Sequence, residues 1–159
     1  MRGKRTIEIA APPAQVYAVV SDLRLMGEFS PECRRVEWLG GATGPAPGAR
    51  FVGHNRGGPM TWSRHGRVIS ADAGREFSFV TEEGGRDSTL WTYHLVPAGA
   101  GTSVTESYEV RWIPWWMHVV DAITFRRKQL ARNMVTTLDR LKTRIESQPA
   151  ELETAKSVN

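Results

Sequence analysis

Three groups of residues in this 159-residue chain have the types and spacing to do chemistry. The first is Glu106. It shares strand parity with Val104, Tyr108 and Val110, so a carboxyl stands where a core side chain belongs. Burying it without a partner is costly. It is therefore either half of a structural ion pair or a group facing a cavity, where it orients a ligand or moves a proton. The second is Tyr93, in the alternating run Trp91, Tyr93, Leu95, whose phenol could serve the same space. The third is Arg126-Arg127-Lys128. These cations interrupt a stripe at helical spacing: Trp116, Val120, Ile123, then Arg127, then Leu130, Met134, Leu138, Leu141 and Ile145. Either the arginines snorkel over a rim, or the helix faces a cavity and Arg126 or Arg127 points into it near Glu106. A direct pair would make neutralising Glu106 cost about 3–5 kcal/mol. In a wet cavity the loss would be smaller, and ligand affinity would change instead. For catalysis the candidates are Glu106 and Tyr93 as proton carriers and Arg127 (or Arg126) as the stabiliser of an enolate.

Other reactive residues carry less. The one cysteine, Cys33, has basic neighbours Arg34 and Arg35 that could lower its pKa, but no histidine lies near it in sequence. It has no disulfide partner, and no Cys/His metal spacing is present. Of the histidines, His65 is the weak candidate; parity turns it outward if Trp62 points inward, and a bulge would reverse this. His54, His94 and His118 are weaker. Nucleophile elbow, zinc-helix and phosphate-loop patterns are missing. Neither metal nor cofactor is expected.

These groups need elements to position them. Residues 5–10 read as a strand, and Pro12-Pro13 opens a short helix over 14–20. Ser21-Asp22 is a break and a plausible cap for a second short helix over 23–29, which Ser30-Pro31 ends. The period then changes to two. Strands are expected over 35–39, 50–56, 61–71, 76–81, 88–97 and 102–111, separated by glycine- and proline-rich turns. Such spacing favours antiparallel hairpins. One long helix follows over 114–147, and residues 148–159 read as a polar, flexible tail. A seven-stranded curved antiparallel sheet has one apolar face to bury, and the long helix is its obvious cover. The expected fold is α+β: a single domain over 1–147 with a space between sheet and helix.

Parity gives that space a lining of Phe51, Asn55, Trp62, Phe77, Phe79, Trp91, Tyr93, Glu106 and Tyr108 from the sheet. The helix adds Ile123, Arg126, Arg127 and Leu130. Trp112, Trp115 and Trp116 at the helix entry read first as caps on the core, second as the lip of a pocket, and third as a transient membrane contact.

Bulk composition narrows the partners. Hydrophobic content of 40%, charged content of 24% and a net charge of +4 are globular values without a basic run, so no nucleic-acid partner is expected. No apolar run is long enough to span a bilayer and no signal peptide is visible. A cytoplasmic monomer or homodimer without stable membrane insertion is expected.

Several segments together resemble a known family. They are Ala14-Gln15-Val16-Tyr17-Ala18-Val19-Val20-Ser21-Asp22, Phe29-Ser30-Pro31-Glu32-Cys33, Pro47-Gly48-Ala49-Arg50-Phe51, Trp91-Thr92-Tyr93 and Gly101-Thr102-Ser103-Val104-Thr105-Glu106-Ser107. The chain resembles the START-like superfamily, specifically its polyketide cyclase/dehydrase-type SRPBCC members, over about residues 2–146. The resemblance implies a helix-grip fold with a deep cavity for a hydrophobic ligand such as a lipid, sterol, polyketide or other aromatic. It supplies no catalytic motif to carry over. Two functions follow: binding of a small hydrophobic ligand, or cofactor-free cyclisation or dehydration of a polyketide-like substrate.

Overall fold

The computed structural model describes residues 1–148, so the tail expected from 148 onward lies, beyond Gln148 itself, outside the described residues. Strand β1 (Arg2–Ile9) leads into helix α1 (Pro13–Val20), which has proline in its first turn. Asp22 then accepts a hydrogen bond from the Arg24 backbone N–H at 3.2 Å and starts a 3-10 turn, Leu23–Leu25. That turn runs into the one-turn helix α2 (Met26–Phe29). The second short helix of the sequence reading is thus a 3-10 turn joined to a single α turn.

Six strands follow: β2 (Cys33–Leu39), β3 (Arg50–Gly57), β4 (Met60–Asp72), β5 (Glu76–Glu83), β6 (Arg86–Ala98) and β7 (Gly101–Val110). All pairings are antiparallel, in the order β1-β7-β6-β5-β4-β3-β2. The alternation read from sequence holds along β7 and through the middle of β6, while β5 is buried on both faces from Phe77 to Val80. Phe51, Phe79, Tyr93, Leu95, Val104, Glu106 and Tyr108 are buried, while His65 and His94 are exposed. Gly66 makes one wall possible. A Cβ there would stand 2.5 Å from the Phe51 ring and 2.6 Å from the Val80 carbonyl oxygen, so only glycine lets that ring lie flat on β4.

The last helix is two. Helix α3 (Trp115–Ile123) ends at Thr124, Phe125 adopts the left-handed conformation (φ 53°), and helix α4 (Arg126–Glu146) begins. Left-handed backbone is unfavourable for a bulky residue, and it breaks the phase of the stripe. The second half of the expected stripe is core: Leu130, Met134, Leu138, Leu141 and Ile145 are buried beneath the sheet. The first half is not. Trp116, Val120 and Ile123 are exposed, and no residue of α3 is buried. The tryptophans therefore do not cap the core; Trp115 and Trp116 face outward, and Trp112 lies half-buried under the Arg86 guanidinium.

Candidate functional site

Between the concave face of the sheet and α4 lies a cavity of about 210 Å³. Its apolar walls come from Phe51 on β3, Trp62 on β4, Phe79 on β5, Trp91 on β6 and Leu130 and Met134 on α4. Phe51 and Phe79 meet edge to face at 5.5 Å between ring centroids, which fixes both rings against the wall. Tyr93, Glu106, Asn55 and Arg126 also border the space. Asn55 spends one amide N–H on the Gly53 carbonyl of its own strand, at 3.4 Å.

Four residues expected in the lining stand elsewhere. Phe77 is fully buried in the solid part of the core beside Phe79, because the cavity does not extend to the start of β5. Tyr108 packs on Trp91, Leu130 and Met134 and is screened from the space by them. Ile123 and Arg127 are exposed, because the break at Phe125 turns α3 and rotates the phase at which α4 begins. Of the two arginines it is Arg126 that reaches the cavity.

Glu106 is 3% exposed and has no cationic partner among the described residues. Register pairs it directly with Tyr93 across β6 and β7, and the Tyr93 hydroxyl donates to its Oε1 at 3.0 Å. Its Oε2 is buried without a hydrogen-bond partner among the described residues. Burial pushes the carboxyl up to about 8, and the bond from Tyr93 only partly offsets this. At neutral pH the group is therefore mainly a neutral acid, able to donate a proton as well as accept one. Burial, reinforced by the adjacent Glu106, also holds the Tyr93 phenol far above its ordinary range. The expected Glu106–arginine pair is not formed, because Arg126 is engaged elsewhere.

Arg126 and Asn133 both bind Glu32. The guanidinium donates to its two oxygens at 2.5 and 3.0 Å, and the Asn133 amide donates at 2.8 Å. Glu32 is aimed by a local turn in which Ser30 Oγ accepts from the backbone N–H groups of Glu32 and Cys33 at 3.3 and 3.0 Å. This cluster ties the turn after α2 to the first residue of α4. Sequence reasoning missed Glu32 and Asn133, whose partners lie 94 and 101 residues apart along the chain. It also missed Arg64, which borders the cavity and pairs with Glu83; its shared parity with Trp62 was the available signal. Cys33 is buried, and burial raises its thiol to about 11 despite the neighbouring arginine, so it is not an activated nucleophile. Among the described residues no three His, Cys, Asp or Glu side chains converge as a metal site requires. No helix among them is long and apolar enough to cross a membrane.

Residues 2–146 match the family described as "Polyketide cyclase / dehydrase and lipid transport". Among solved structures, the Polyketide_cyc-like protein Cgl2372 from Corynebacterium glutamicum is 30% identical. That match covers 94% of this chain and 95% of the other, with a TM-score of 0.62. TTHA0849 from Thermus thermophilus shares the fold at 19% identity, covering 94% and 100% of the two chains, with a TM-score of 0.71. The di-domain ARO/CYC StfQ from the steffimycin biosynthetic pathway shares it at 11% identity and a TM-score of 0.74. There 92% of this chain covers 51% of the larger one. No curated protein matches the chain.

Proposed function

From the premise that this chain belongs to the polyketide cyclase/dehydrase and lipid transport family, we propose that it binds a small hydrophobic ligand bearing one carbonyl or hydroxyl oxygen. The observation that carries this is the unpartnered Oε2 of Glu106, buried in an otherwise mostly apolar enclosure. An apolar group filling the space would leave that atom unsatisfied, at a cost of about 1–3 kcal/mol. A ligand oxygen placed against it would recover much of this. Size supports a compact ligand. A dry cavity of about 150 Å³ accommodates benzene, so 210 Å³ suits one or two rings or a short folded chain.

A second reading is cyclisation or dehydration of a polyketide-like substrate. The pairing of Glu106 with Tyr93 at 3.0 Å, with the carboxyl near 8, favours it. Such a group gives up and takes back a proton near neutral pH, as acid–base catalysis requires. In this reading the walls hold a flexible chain in a reactive conformer. Arg126, already neutralised by Glu32, is a weaker enolate stabiliser than its charge suggests. Arg127 is exposed and does not border the cavity.

Quenching of tryptophan emission by naphthol and by naphthalene tests the binding reading, because Trp62 and Trp91 border the cavity. Naphthol should bind more tightly, and Glu106→Leu should cut that preference about tenfold, one hydrogen bond's worth. An unchanged preference in Glu106→Leu, or no quenching by either compound, would remove Glu106 from the ligand site. Native mass spectrometry of freshly purified protein then looks for the ligand carried from the cell.

A further inference from the structure

Helix α3 wears its hydrophobic face on the outside. Trp115, Trp116, Val119, Val120 and Ile123 are 79, 51, 52, 47 and 71% exposed, and Phe125 just beyond is 66% exposed. At helical spacing these five residues of α3 fall within an arc of about 140°. Met117 and Asp121 occupy the opposite side and border the cavity. His118 and Ala122 face a shallow groove shared with Arg111 and Arg127. The one acidic side chain of α3 thus points inward, and its largest apolar side chains point at solvent, the reverse of an ordinary surface helix. Patches of this kind mark interaction sites.

The charges beside the patch select the partner. Arg127 and Lys128 are exposed at the start of α4, and neither enters an ion pair among the described residues. The Lys128 ammonium sits 5.6 Å from the centre of the Phe125 ring, so cation and apolar face are contiguous. Two tryptophans, aliphatic residues and a cationic edge suit the interface of an anionic bilayer. A second copy of this chain suits it less well. In a two-fold interface the same cations would approach one another, with no acid on the outward arc to answer them.

We propose that the outward face of α3 docks on an anionic lipid bilayer, with Trp115, Trp116 and Ile123 among the headgroups and Arg127 and Lys128 against the lipid phosphates. The helix then lies between the bilayer and the cavity, its inner side still lined by Met117 and Asp121. This surface inference stands apart from the identity of the cavity ligand, since none of these five residues borders the cavity.

Flotation of the full chain with vesicles of phosphatidylcholine, with and without phosphatidylglycerol, is the test. Binding should require phosphatidylglycerol and weaken with salt. Trp115→Ser with Trp116→Ser should abolish it. Arg127→Gln and Lys128→Gln should each lower partitioning about fivefold, and together about 25-fold. Thermal melting checks folding of each variant, which should be preserved because the substituted side chains are exposed. Failure to float with phosphatidylglycerol vesicles at low salt would overturn the proposal. So would binding indifferent to the tryptophan pair. A protein that sediments as a dimer, is dissociated by the tryptophan substitutions and ignores vesicles would assign the face to a second copy instead.

Discussion

Glu106 and Glu32 border the same cavity and are handled in opposite ways. Glu106, projecting from the sheet, meets one phenol and no counter-charge among the described residues, and burial keeps it mainly protonated at neutral pH. Glu32, in the turn opposite α4, is held by Arg126 and Asn133 and remains 17% exposed. The contrast separates two uses of an acid. Glu32 spends every strong interaction on the fold, joining two distant segments. Glu106 leaves an oxygen unspent, and an unspent buried group is what a ligand can reward.

The sharpest test is the sign of the response to neutralisation. Glu106 has an ordinary value of 4.5 and a folded value of about 8. The native chain therefore holds a proton that the unfolded chain releases above pH 4.5, and stability falls as pH rises from there through 8. Glu106→Gln should remove that slope. It should match the parent near pH 4 and exceed it above pH 8 by several kcal/mol, at most about 5. Urea denaturation across this window measures it; parallel pH profiles for parent and variant would erase the distinction between the two acids.

Glu32→Gln should go the other way. It orphans Arg126 and weakens the link to Asn133, costing about 2 kcal/mol, less than a fully buried pair because this one is partly hydrated. The loss should shrink in high salt. A neutral or stabilising outcome would mean that the cluster is not what joins the turn to α4.

Tyr93→Phe is the smallest and most discriminating change. Losing the phenol should cost about 1 kcal/mol near neutral pH. It should also push Glu106 higher still, because the bond from Tyr93 is what lowers it. A pH profile that loses stability over a wider alkaline range than the parent's would report this.

How much of the fold and site was legible follows from distance along the chain. The strands were readable because parity needs only neighbours two residues apart, and it singled out Glu106, Tyr93, Phe51 and Trp91 before any pairing was known. The stripe from Leu130 to Ile145 was readable for the same reason at helical spacing. Its extension back to Trp116 was not, because no proline or glycine announces the break at Thr124-Phe125. That one break left Arg126 and Arg127 indistinguishable and misplaced Ile123. Glu32 was invisible as a partner of Arg126, since nothing local reveals a contact made across 94 residues.

The order of strands has its own consequence for how the molecule is made. Every neighbouring pair from β2 to β7 joins consecutive segments, so each can zip as soon as it emerges. β1 precedes the other strands of the sheet yet pairs with β7; Thr6 meets Thr105 side chain to side chain across 99 residues. α4 adds to this late closure, with Lys142 donating to the Glu8 carbonyl and Glu146 accepting from the Ala10 N–H. Long loops close at an entropic cost that local hairpins avoid. The growing chain therefore carries β1 without its partner until β7 has been made. The wall that α4 supplies to the cavity is therefore set only after all seven strands have been made.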